Sequence, residues 1–219
     1  MMPDYETAAR KAVETLIEHN VCSAPVDPLP MLKRIPGVLV INYADMSDSL
    51  GMKRSSMMSM LGIRNQDAAT SVIEEDGSLR YVVAYNQKLS FFLLQRAIAR
   101  ELGHIVLGHD GSRPEEVQTE EAKCFAHHLL CPRPLIYLVQ RTGMRLTMDV
   151  VNNLTGSNDH CMTCMRRVPA THVPAELNRQ VRENFMDFFN NFFEFQRSLV
   201  VSDGSAVADL GTYMDGYEE

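Results

Sequence analysis

Residues 96–132 read RAIARELGHIVLGHDGSRPEEVQTEEAKCFAHHLLCP. Two helices and a Gly-containing connection are legible in them. Apolar residues recur at helical spacing from Phe91 to Leu107, with Ser90 as N-cap and Gly108 or Gly111 as the stop. From Pro114 to Leu130 the pattern resumes. Pro114 suits a first turn, acids 115, 116, 120 and 121 suit the positive helix end, and Pro132 stops the run. Glu101 and His104 lie three apart on the first helix and share a face; so do Arg100 and His104, four apart.

This spacing is that of the H-E-x-x-H motif of zinc peptidases. Two imidazoles one turn apart bind the metal, and the Glu beside the first activates a water. Here the motif reads R-E-L-G-H, with Arg100 in the first ligand's place.

The stretch resembles the ImmA/IrrE family of metallo-endopeptidases, whose core reads A-H-E-L-G-H-x-x-L-x-H, then E-A-N-x-F-A-x-x-L-L-x-P on the next helix. The chain matches at Ala99, Glu101, Leu102, Gly103, His104, Leu107 and the nearby His109. It matches again at Glu121, Ala122, Phe125, Ala126, Leu129, Leu130 and Pro132. Tyr85-Asn86 and Ser90–Arg96 resemble the family's approach to the first helix. Arg100 departs from the pattern, and so does Lys123, where Asn is usual.

The resemblance implies Glu101 as general base and His104 and Glu121 as zinc ligands. It implies a protein substrate, such as a helix-turn-helix repressor of a mobile element. A guanidinium has donors only and stays charged, so Arg100 cannot ligate zinc. Two protein ligands remain where catalytic zinc has three. The expectation is little bound zinc, with Arg100 filling the metal's charge role by pairing with Glu121 and Glu101. Substitute ligands are sought at Cys124, His109, His127 and His128. Cys124, three residues from Glu121, is the best placed, and His128 is about 10 Å further along the helix. Two functions stay open: a zinc endopeptidase, or a degenerate relative that regulates a partner by binding it. The cofactor is zinc in the first case and none in the second.

Working outward, the expected fold is α+β. A helix over 5–19, a short helix over Leu29–Arg34 and strands at Val38–Tyr43, Met57–Arg64 and Leu79–Tyr85 precede the two helices; 44–56 reads as loop. A small, antiparallel sheet would carry a zincin-like active-site helix, and the part beyond 132 reads as all-helical. The divisions are a peptidase-like core over 1–135, a helical region over 136–202 and an acidic, disordered tail over 203–219.

In the helical region, 147–168 resembles a helix-turn-helix, and 141–182 has six Arg against three acids. Asp159 and the lack of Lys or Gln opening its second helix weaken base readout, so DNA is the lesser alternative. Cys161 and Cys164 form one Cys-x-x-Cys, short of the four ligands of a structural zinc site. Leu177, Val181, Phe185, Phe188, Phe192, Phe195 and Leu199 form a stripe on one long helix over 175–201. Phe189 and Phe193 broaden it enough for a partner surface.

Composition narrows the rest. The chain has 219 residues and a net charge of −7, but five of its 28 acids lie in 203–219, leaving 23 acids against 21 bases over 1–202. No apolar run nears the roughly 18 residues of a membrane span. The start of the chain lacks a basic flank and an apolar h-region. With five irregularly spaced cysteines, the expectation is a cytoplasmic protein with reduced thiols.

Overall fold

A computed structural model describes residues 2–60, 67–75, 78–141, 150 and 171–202. The possible helix-turn-helix over 147–168, the Cys161/Cys164 pair and the acidic tail lie outside them, apart from Val150.

Helix α1 (Tyr5–Glu18) starts at Asp4, whose side chain accepts from the Thr7 N–H at 3.0 Å. Its Ala8, Ala9, Ala12, Val13 and Leu16 face inward, fully buried. Helix α2 (Pro28–Arg34) is capped the same way by Asp27, and Pro28 supplies a preset first turn. Strand β1 (Val38–Asn42) follows.

The segment 44–56 is not a loop. It holds nearly all of helix α3 (Tyr43–Ser49) and the start of helix α4 (Arg54–Met60), whose remainder replaces the start of the strand expected at 57–64. The Asn42 side chain accepts from the Ala44 and Asp45 N–H groups and starts α3. Both helices are short and mostly polar, so they show no long apolar stripe. Tyr43 and Met57 anchor them, buried together with Ala84.

The second strand is instead β2 (Ala68–Glu75). It pairs antiparallel with β3 (Ser78–Tyr85), from Ala68 opposite Tyr85 to Glu75 opposite Ser78. The sheet order is β1-β3-β2, and β1 runs parallel to β3, Val38 opposite Tyr81. The expected all-antiparallel sheet is therefore mixed. The two helices and β2 between β1 and β3 supply the crossover that a parallel pair needs.

Helices α5 (Phe91–Val106) and α6 (Glu115–Leu130) pack against each other, α5 also against the sheet and α6 against α1. The α+β class is as expected. At the α5–α6 crossing, a Cβ on Gly103 would lie 3.0 Å from Phe125 Cδ1 and 3.2 Å from the Ala122 carbonyl oxygen. Gly103 is thus the residue that lets the helices approach closely. Gly103→Ala is expected to cost about 1 kcal/mol and Gly103→Val about 3 kcal/mol or more, through overpacking of a fixed backbone. Urea melts of both variants check this; equal midpoints for Val and Gly would contradict it.

Helix α7 (Arg133–Arg141) and the long α8 (Ala175–Ser202) complete the described elements. Val181, Phe185 and Phe189 of α8 are buried and join the same core as Leu16, Phe125 and Leu129. Phe189, which only widened the stripe in the sequence, is a core residue. Phe188 stacks on Phe192 with ring centroids 6.1 Å apart. Phe193, Phe195 and Leu199 lie outside the described side chains. No described helix is long and apolar enough to cross a membrane.

Candidate functional site

The site forms where the end of α5, the start of α6, strand β2 and the segment before α1 meet. Glu101 is 4 % exposed. One of its oxygens accepts from the Thr70 hydroxyl on β2 at 2.8 Å; the other faces Arg100 Nε and Nη2, both at 3.4 Å. Burial raises the Glu101 pKa, opposed by the Arg100 charge and the Thr70 hydrogen bond. Tyr43 lies in the same field. Burial, and then the Glu101 charge, push its phenol up to about 12, while Arg54 sits 4.8 Å above its ring.

The next groups are placed by how α5 ends. Gly108 takes φ +65°, its N–H bonds the Ile105 carbonyl at 3.0 Å, and the His109 N–H bonds the His104 carbonyl at 2.9 Å. This is a Schellman stop, and it folds His109 back over the last turn. The two imidazoles then meet, Nδ1 to Nδ1, at 2.9 Å. His109 Nε2 lies 3.0 Å from Glu121 Oε2. One tautomer set satisfies both contacts with neutral rings: His104 Nδ1–H donates to His109 Nδ1, and His109 Nε2–H donates to Glu121. Burial, the neighbouring His109 and Arg100 lower the His104 pKa to about 4. Burial also lowers that of His109, against the pull of Glu121.

Glu121 is the most heavily bonded carboxylate of the site. Oε1 accepts from the Asp4 N–H at 2.8 Å and from Arg113 Nη1 at 2.9 Å. Oε2 accepts from Arg113 Nη2 at 2.6 Å and from His109. Each oxygen thus has two donors, which fills a carboxylate's roughly four acceptor positions. Burial raises its pKa, but the Arg113, Asp4 and His109 hydrogen bonds outweigh that and hold it below the usual range.

The pairing expected between Arg100 and Glu121 is therefore corrected: among the described residues, Arg113 pairs with Glu121, and Arg100 pairs with Glu101. Arg100 and Glu101 are neighbours in sequence, and a short reach along α5 suffices. Among the substitute-ligand candidates, His109 enters the site. Cys124 instead donates its thiol to the Tyr5 carbonyl at 3.6 Å. His128 is buried at 2 % exposure, its Nδ1 has no hydrogen-bond partner among the described residues, and burial, then the charge of Arg133, lowers its pKa to about 4. Among the described residues, Cys22, Cys124 and Cys131 form no disulfide.

The donor set does not fit zinc as arranged. Arg100 has no lone pair to give, and both Glu121 oxygens are taken. The two nitrogens of His109 point opposite ways, one to His104 and one to Glu121. Of the four imidazole nitrogens, His104 Nε2 is the one left with an unengaged lone pair in that tautomer set. Among the described residues, no three His, Cys, Asp or Glu side chains form a group that could hold one metal ion.

Sequence reasoning missed Thr70, Asp4 and Arg113. Arg113 left one trace, a basic residue next to Pro114 in a Gly-rich connection. Thr70 and the Asp4 amide left none, because each is brought in by tertiary packing. No model of a known protein family matches the chain, and no curated protein sequence matches it.

Proposed function

We propose that this chain is a peptidase-like regulator of the ImmA/IrrE kind that binds a regulatory protein, such as a mobile-element repressor, without cutting it. The observation that carries the reading is the state of the two former ligand positions. Arg100 lies against Glu101, and Glu121 has both oxygens filled by protein donors. Catalytic zinc needs three ligands and an open position. In a zinc peptidase the general base acts on a metal-bound water, and Glu101 is here hydrogen-bonded to Thr70 and Arg100.

The zinc endopeptidase remains the second reading. The Glu101-x-x-His104 order on α5, with Glu121 near on α6, supports it. It requires Arg113 to leave Glu121. The two readings separate when the natural protein, purified with zinc present, is mixed with a helix-turn-helix repressor encoded beside it. The expected result is a stable complex with the repressor intact. Repressor cleavage that a chelator stops would overturn the proposal.

A further inference from the structure

We propose that Arg113 is this chain's built-in replacement for a metal cation, delivered to Glu121 by a connection shaped for that purpose. The inference rests on the reading of a zinc-free site and adds the residue that makes it zinc-free.

A buried carboxylate must be paired, and in a metallopeptidase the metal does the pairing. Here a planar guanidinium does it through two parallel N–H···O bonds of 2.9 and 2.6 Å, the fork geometry that Arg offers and Lys does not. The connection holds Arg113 in place from both sides. Gly111 turns at φ +82°, and the Asp110 carboxylate accepts from the Ser112 N–H at 2.9 Å. Beyond it, Gln118 Nε2 donates to the Arg113 carbonyl at 2.6 Å, anchoring that backbone to the first turns of α6. The Asp4 amide and His109 occupy the lone pairs that the fork leaves. Three residues from two parts of the chain therefore converge on one carboxylate and complete its coordination without a metal. Arg100 removes one ligand; Arg113 removes another by occupying it.

It follows that restoring the missing imidazole is not enough. Arg100→His alone leaves Glu121 filled and is expected to take up no more zinc than the natural protein. Arg100→His with Arg113→Ala frees the carboxylate beside a restored pair of imidazoles and is expected to hold zinc near stoichiometrically.

The test is zinc content by metal analysis together with melting curves, with and without zinc or chelator, for five proteins: natural, Arg100→His, Arg113→Ala, the double variant and Arg113→Lys. Arg113→Ala should melt on the order of 5–10 °C lower than the natural protein, whose melting neither zinc nor chelator should move. Arg113→Lys keeps the charge but loses the fork, and should fall between the two without binding zinc. Should the alanine variants fail to fold, the lysine variant still decides, since a melting point equal to the natural one would overturn the fork's role. Equal zinc uptake by Arg100→His and the double variant would overturn Arg113 as the barrier while leaving the zinc-free reading intact. Stoichiometric zinc in the natural protein would overturn the parent reading itself.

Discussion

Between pH 6.5 and about 4, two buried histidines are expected to withdraw several kcal/mol of stability as pH falls. Burial holds the folded-state pKa of both His104 and His128 at about 4, against an ordinary 6.5. In that window the unfolded chain takes up protons that the folded chain refuses, so stability falls as pH falls and levels off below the folded values. A shift of this size corresponds to about 3 kcal/mol per group as an order of magnitude. Glu121 adds to the loss at the acid end. Its folded pKa is depressed, so its contribution is present above its ordinary value near 4.5 and disappears as pH drops through the lower folded value. Glu101 works the other way. Its folded pKa is raised, so its contribution is largest at low pH and is lost as pH rises toward the folded value. Urea melts at half-unit steps from pH 7.5 to 4 check the sum. His128→Gln should flatten the profile without touching the Glu121 cluster; an unchanged slope in that variant would contradict the assignment.

Glu121→Gln is expected to cost about 2–4 kcal/mol, less than a fully buried broken pair because the Arg113 side chain is 33 % exposed. The amide keeps the size of the carboxylate but has one accepting oxygen for four donors: the Asp4 amide, two Arg113 N–H groups and His109. The melting temperature should fall by roughly 5–15 °C for a chain of this length. The loss should also couple to Arg113. In a double-mutant cycle with Arg113→Ala, the second substitution should cost much less than it does alone. Additive losses would show that the two side chains do not act as a unit.

Sequence and structure agree wherever one strong local signal fixed the answer. Helix α1 shows its Ala-rich inner face, α2 falls at the short run expected over Leu29–Arg34, and α5 and α6 show their apolar faces, although the Ser90 side chain makes no capping hydrogen bond. Disagreement came where long-range pairing decides. Strand β2 reads AATSVIEE, with small and polar residues and an exposed Val72 and Ile73, so its identity comes from hydrogen bonds to β3. Helix α3 depends on the Asn42 cap and the burial of Tyr43. The site divides the same way. Glu101 and His104 stand out by their spacing on α5, whereas Glu121 and the departure at Arg100 stand out only through the resemblance to the ImmA/IrrE pattern. Which cation pairs with Glu121 does not stand out, because a folded connection and the chain's first residues meet there. Distance in sequence favoured Arg100 no more than Arg113; the Schellman stop at Gly108 and the Gln118 anchor chose Arg113.

The most direct test is the zinc content of the natural protein, purified without chelator in zinc-supplemented buffer and then dialysed. A site closed by Arg100 and Arg113 predicts far less zinc than one ion per chain and a melting temperature that a chelator leaves unchanged. Tightly held zinc at one ion per chain, removed by a chelator with a drop in melting temperature, would contradict it.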